Sequence, residues 1–217
     1  MKSRLFALVA CCPLFLAGPL HAATVVLGQS VETAIPDNND TGLVSVIPFV
    51  GADFSVTAVE VLLETTGGWN GDLYAYLEHN GIISVLINRP GKTAGNPAGA
   101  ASSGMTISFN DTALADIHTA ISDTAGLPAV GTYQPDARIA DPLVVTDLSP
   151  RSKFLAGFNG TNPNGAWTLF IADQSGGDVA VLKSWSLIVT AVPEPSSALL
   201  AMTGAAALLF VRRRNRR

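Results

Sequence analysis

The sequence predicts an all-β domain set between two apolar ends. Three observations carry this reading. Short runs rich in β-branched and aromatic residues recur between residues 25 and 191. Clusters of Gly, Asn, Asp and Pro separate them, as turns require. Alternation is clear in Leu73-Tyr74-Ala75-Tyr76-Leu77 and in Trp185-Ser186-Leu187-Ile188-Val189, the period of strands with one buried face.

In chain order the first element is a leader. Lys2 and Arg4 form a short positive region, residues 5–20 are almost wholly apolar, and Leu20-His21-Ala22-Ala23 offers small residues at a cut point. Residues 1–23 therefore have the layout of a secretory signal peptide. Leu8-Val9-Ala10-Cys11 has the look of a lipobox that would leave Cys11 lipidated. Only six apolar residues precede that cysteine, against roughly 7–15 in a leader's apolar region, and the run continues past it.

Strands are expected over residues 43–50, 54–64, 72–78, 82–88, 105–109, 142–146, 167–172 and 182–190. Asn80-Gly81 between two of them is a hairpin signal, since both residues accept positive φ. Residues 93–135 are smaller and more polar, and read as a long excursion with a short helix near residues 112–122. No internal repeat is apparent.

Composition narrows the function classes. Residues 24–191 are enough for one domain with a real core. Cys11 and Cys12 both lie in the leader, so the mature domain has no disulfide and must be held by packing. Of 13 basic residues seven sit in the two ends, and of 17 acidic residues only Glu194 does, so the core carries ten excess negative charges. Such a surface repels nucleic acid, whose binding needs Lys and Arg on phosphates, and suits solubility and calcium.

No catalytic constellation is visible. Outside the leader only His79 and His118 remain; neither belongs to an H-E-x-x-H site, and there is no G-x-S-x-G elbow. None of the three core lysines has a serine three positions before it. His79, beside Asn80-Gly81, is expected in an exposed turn and His118 on a short surface helix. Calcium is the one cofactor with an argument: Asp37-Asn38-Asn39-Asp40 packs oxygen donors into one loop, and Asp111 after a strand offers another carboxylate. Position 12 from Asp37 is Pro48 rather than Glu, so this is no EF-hand. A solvated turn satisfying its own backbone is the competing reading. Three N-x-[ST] triplets, at Asn39, Asn110 and Asn159, are likewise read as turns.

At the other end Val192-Pro193-Glu194-Pro195 precedes an apolar run over residues 198–211 and then Arg212, Arg213, Arg214, Asn215, Arg216 and Arg217. Two prolines rule out regular helix or strand across the motif and leave it extended and accessible. The apolar run is long enough to enter a bilayer, and the arginines hold its end on the cytoplasmic side. This order resembles the PEP-CTERM sorting signal of Gram-negative bacteria over residues 192–217. The resemblance implies a single transmembrane sorting helix, transient tethering at the inner membrane, processing by an exosortase, and passage to the outer envelope or beyond. Without the Pro-Glu-Pro motif a plain C-terminal anchor would account for the same tail.

Between the ends, Gly165-Ala166-Trp167 through Asp173, then Gly177-Asp178 and Leu182-Lys183-Ser184-Trp185, resembles the closing motif of the proprotein convertase P-domain. Ile35-Pro36-Asp37-Asn38-Asn39 resembles its opening, and Trp69-Asn70-Gly71-Asp72-Leu73 with Ile87-Asn88-Arg89-Pro90-Gly91 resembles its middle. The resemblance implies that residues 24–191 form a jelly-roll-like antiparallel β-sandwich. In it Trp167 and Trp185 would fill the core, Gly165 and Gly177 would let turns approach a neighbouring backbone, and Asp173 and Asp178 would accept turn N–H bonds. It transfers a module and no peptidase, since the chain has no room for the protease domain. Together the two resemblances imply a non-enzymatic exported protein of the envelope or matrix, associated with exopolysaccharide. The alternative is a module that docks on and stabilises a separately encoded secreted protease. A carbohydrate-active sandwich enzyme would need two carboxylates at a set separation, which sequence cannot place.

Overall fold

A computed structural model describes residues 22–51, 54–121 and 127–193, with the single positions 204, 212 and 214. Nine strands are found among them: β1 Ala23–Ala34, β2 Asn39–Phe49, β3 Phe54–Gly67, β4 Leu73–His79, β5 Ile82–Asn88, β6 Met105–Phe109, β7 Ala129–Tyr133, β8 Gly165–Asp173 and β9 Ala180–Pro193. One short helix, α1, spans Ile117–Ala120. The fold is an all-β two-sheet sandwich, with a five-stranded sheet in the order β1-β9-β3-β6-β7 facing a four-stranded sheet in the order β2-β8-β4-β5.

All pairings are antiparallel except β6 with β7, which is parallel. The purely antiparallel expectation is corrected there. Residues 110–128, carrying α1, lie between the two strands, and a crossover of about a dozen residues or more is what a parallel pair needs. The strand expected over residues 142–146 is also corrected: those residues turn. Asp141 Oδ1 accepts the Leu143 N–H, and its carbonyl accepts the N–H groups of Val144 and Val145. A local Asx-type turn thus outcompetes the β-branched run. The Lys92 ammonium fixes that turn by donating to the carbonyls of Pro142 and Leu143 at 2.8 and 2.6 Å.

Core and surface follow the pleat. Leu73, Ala75 and Leu77 of β4 and Trp167, Leu169 and Ile171 of β8 point inward against Leu63 of β3 and Trp185, Leu187 and Val189 of β9. Each buried indole removes about 150–250 Å² from water, an upper bound of roughly 4–6 kcal/mol. Trp185 also ties the sheets together, its Nε1–H donating to Ser45 Oγ on β2 at 2.8 Å. The hairpin between β4 and β5 turns at Asn80 and Gly81, whose φ values are 51° and 80°.

Strand β9 pairs with β1 on one side and β3 on the other, and its last pair joins Pro193 to Phe54. The expectation of no strand across the Pro-Glu-Pro motif is corrected for Val192 and Pro193. Proline can close a strand because the donor it lacks is not needed at the end. Glu194, Pro195, Arg213, residues 1–21 of the leader and the apolar run (Gly204 apart) lie outside the described residues. Arg212 and Arg214 are helical and exposed. Among the described residues no helix is long and apolar enough to cross a membrane.

Candidate functional site: an acidic cleft beside Trp69

The antiparallel register brings distant motif residues to one end of the four-stranded sheet. Asp173, the last residue of β8, pairs with Asn39 on one side and Leu73 on the other. Asp37 precedes β2, Asp72 precedes β4, and the Ser175-Gly176-Gly177-Asp178 turn follows β8, so all meet there. A 3₁₀ turn over Asn70–Asp72 sets the angle of Asp72. Asn70 holds that turn, its Nδ2 donating to Ser102 Oγ and the Gly104 carbonyl at 2.8 Å each. Gly71 lets it sit against the 98–100 backbone, where an added Cβ would lie 2.4 Å from Ala100 N.

The electrostatics are one-sided. Arg89, at positive φ just after β5, donates from Nη2 to Asp72 Oδ1 at 3.0 Å and from Nε to the Gly71 carbonyl at 2.9 Å. Asp173 Oδ1 accepts from Ser175 N at 3.1 Å, while its buried Oδ2 has no hydrogen-bond partner. Asp37 Oδ2 accepts from Gly177 N at 3.3 Å. Burial raises the Asp72 pKa; Arg89 opposes that, and Asp178 and Asp37 reinforce it. Burial lifts Asp173 further, to about 6, against the Ser175 N–H and with help from Asp72 and Asp37. Above this group a cleft of about 290 Å³ runs between Trp69, Asp72 and Ala98 on one side and the 175–178 turn on the other. Trp69 is 42% exposed, whereas Trp167 and Trp185 are fully buried.

Other expected site residues are placed differently. Asp37, Asn39, Asp40 and Asp111 do not gather into a calcium site. Both Asp111 oxygens are taken by the Leu155 and Ala156 N–H groups, at 3.1 and 2.6 Å, and Asn39 Oδ1 accepts from Thr41 N and Oγ1. Among the described residues no group of three His, Cys, Asp or Glu could hold a metal ion. Asn39 opens strand β2 rather than lying in a turn, whereas Asn110, which makes the same bonds to Thr112, sits at a turn just after β6. Gly177 and Gly165 meet no close backbone; their φ values of 136° and 120° are what require glycine.

Both histidines are corrected from surface to interior. His79 is fully buried and stacked on Trp167, because β4 ends where the 162–166 segment crosses it. His118 is buried with Asp136, Nδ1 to Oδ2 at 2.8 Å, while Nε2 donates to the Lys92 carbonyl at 2.8 Å. Asp136 also binds Arg138 at 3.1 Å, and Arg138 reaches Asp116 at 2.9 Å. No local sequence signal marks this network, since its members span residues 92–138. The Asp72–Arg89 pair was within reach, as both belong to the middle motif.

These features define an all-β two-sheet sandwich with an acidic cleft at one end. Residues 191–216 match the PEP-CTERM protein-sorting motif, which marks the chain as an exported protein processed by an exosortase at the membrane. The chain is also similar to the serine protease of Aeromonas sobria, in its crystal structure with the chaperone ORF2 and in its structure alone. Identity is 14% in both, with TM-scores of 0.45 and 0.43 over 81% and 79% of this chain. The match covers 28% and 27% of the protease chains, so this chain spans little more than a quarter of their length. No curated protein matches the chain.

Proposed function

We propose that the chain is a non-enzymatic structural protein of the bacterial outer envelope or extracellular matrix, delivered by exosortase processing and associated there with exopolysaccharide. One observation carries the delivery half: the sorting motif begins at residue 191, inside β9, the strand that holds β1 and β3 together. The whole sandwich hangs from the tail by a strand paired on both sides, and a cut beyond Pro193 releases it with its sheet complete. The interleaved order β1-β9-β3-β6 over β2-β8-β4-β5 supports reading the domain as a jelly roll of the P-domain kind. The convergence of Asp37, Asp72, Arg89 and Asp173 supports it further, since those positions carry the resemblance.

Fractionation tests the delivery. Wild type should be found processed, outside the inner membrane, and a variant with Pro193, Glu194 and Pro195 all replaced by Ala should stay in that membrane at full length. Processed protein in the medium of the variant would sink the reading. Retention of wild type on the host's own polysaccharide tests the matrix half. Co-purification of a stoichiometric protease instead would shift the reading to a docking module.

A further inference from the structure

Resting on the delivery reading above, we propose that the end of the sandwich from which the tail leaves is a membrane-docking rim. While the precursor is tethered, Val50 and the loops around it sit in the headgroup layer of the inner membrane.

Chain length brings that end to the bilayer. Strand β9 ends at Pro193, and the apolar run begins at residue 198, so only residues 194–197 lie between. Fully extended, that lead spans at most about 18 Å. The headgroup layer is itself roughly 5–8 Å deep on each side of the hydrocarbon. A domain on so short a lead rests against the surface. Strand register decides which residues it presents. Pro193 pairs with Phe54, Ala191 with Ala23, and Phe49 with Gly165. The connection from β2 to β3, the start of β1 and the start of β8 therefore share this end. The 159–164 segment joins them, Gly160 N–H donating to the Val56 carbonyl at 2.8 Å.

The chemistry of the rim suits lipid. Val50 is 92% exposed, and both of its neighbours are fixed: Phe49 is buried in the core, and Gly51 N–H donates to Asn164 Oδ1 at 2.7 Å. Charge is nearly absent. Among the described residues of 22–24, 49–55, 78–82, 159–166 and 191–193, Glu78 is the one acidic or basic side chain besides buried His79. Its Oε1 accepts the Gly81 N–H at 2.6 Å. Asp53 lies outside the described residues. The carboxylates of Asp37, Asp72, Asp173 and Asp178 collect instead near the other end of β9, roughly 45 Å away along that strand. Anionic headgroups thus meet the end with little charge, and the acidic end points away from them.

One valine would not hold a free domain on a membrane. A short tether supplies an effective concentration of millimolar order, so even a weak contact stays occupied. The cut that removes the tether also undocks the domain, and docking is confined to the precursor.

Fluorescence quenching on the leader-cleaved precursor, tail intact, tests this in vesicles of phosphatidylethanolamine and phosphatidylglycerol carrying nitroxide lipids. That chain has no cysteine of its own, so a single label reports one position. Labels go on Asn159→Cys at the rim, Asp178→Cys at the far end and Ala206→Cys in the apolar run. The rim label should be quenched by headgroup and shallow acyl nitroxides, the far label should not, and high salt should change neither. Adding Val50→Asp should lower the docked-to-undocked ratio at Asn159 about tenfold or more, the share of one buried valine. Its melting temperature should not move, since Val50 is exposed. Quenching at Asn159 no greater than at Asp178 would overturn the proposal. So would quenching that Val50→Asp leaves unchanged, because the tether alone would then hold the end there; lost cutting in cells with that result would assign the rim to the exosortase. The Ala206 label keeps the two readings apart. If it is quenched and Asn159 is not, the docking falls and the delivery reading stands. If Asn159 is quenched and Ala206 is not, the reverse holds.

Discussion

The imidazole of His79 lies flat on the indole of Trp167, with ring centroids 4.0 Å apart and planes 1° from parallel. Phe158 closes the other approach at 5.0 Å, and the indole Nε1–H donates to the Pro163 carbonyl at 2.9 Å. The His79 ring nitrogens sit 2.9 and 2.8 Å from the carbonyls of Ala166 and Asn162. This histidine therefore fills core volume and directs its one N–H, at Nδ1, to the Ala166 carbonyl while Nε2 accepts from Asn80 Nδ2 at 2.9 Å. His79→Ala loses both, and should lower stability by about 2–4 kcal/mol. Urea unfolding followed by tryptophan fluorescence would show it; an unchanged midpoint would mean that the stack does not form.

Gly71 should be the least replaceable glycine near the cleft. Its added Cβ would meet Ala100 N, Gly99 C and Ala98 O at 2.4, 2.7 and 2.8 Å, all backbone atoms of the wall that Gly71 itself bonds through Ala100. Gly71→Ala should cost about 3 kcal/mol or more, the upper range for overpacking. Gly81 is the control: its Cβ would meet nothing, and only its φ of 80° makes a side chain costly, by about 1 kcal/mol. Equal melting temperatures for the two alanine variants would show that the wall gives way freely.

Sequence reading succeeded where the signal is local. The residues expected for β5 and β6 are those observed, and β4, β8 and β9 differ from expectation only at their ends, because alternation and Asn80-Gly81 are properties of neighbouring residues. It missed β1, where Gly28 and a run of Ser, Thr and Gln dilute the pattern and only Val25, Leu27 and Val31 pack partly inward. It missed β7, five residues interrupted by Gly131. Both are edge strands, which need less apolar side chain to hold their place. The acidic cleft was half legible: the motif residues were known, but their convergence depends on the pairing of β8 with β2 and β4. Burial of His79 was not legible at all, because the carbonyls its ring nitrogens lie against are 83 and 87 residues away.

Asp173 should make the domain more stable in mild acid than at neutrality. Its carboxyl is raised from 3.8 to about 6 by burial, so between those values the folded state holds a proton that the unfolded chain releases. Stability from this group is complete below 3.8 and lost as pH rises through about 6. Above that the buried anion costs up to about 3 kcal/mol. Asp173→Asn keeps the acceptor for Ser175 N–H and removes the charge. It should melt several degrees above wild type near neutral pH and match it at the acid end. A variant less stable than wild type near neutrality would show that the carboxylate is already neutralised by a bound cation.

The His118–Asp136 pair should act in a separate and higher window. Both ring nitrogens face acceptors, Asp136 Oδ2 and the Lys92 carbonyl, so the geometry is that of an imidazolium donating twice. Burial opposes that charge, as does Arg138, but the hydrogen bond and charge of Asp136 with the Lys92 carbonyl outweigh them and raise the His118 pKa. A raised histidine contributes stability that is fully present below its unfolded pKa of about 6.5 and lost as pH rises through the folded value. The slope from Asp173 is finished near 6, where this one begins, so each can be removed alone. His118→Gln can still donate once but carries no charge. It should cost about 3 kcal/mol in mild acid, as when a buried pair loses one partner, and less as pH rises, because wild type falls towards it. Thermal melts of both proteins across this range decide the matter: parallel curves would mean that His118 is neutral in the fold and that Arg138, not an imidazolium, balances the Asp136 charge.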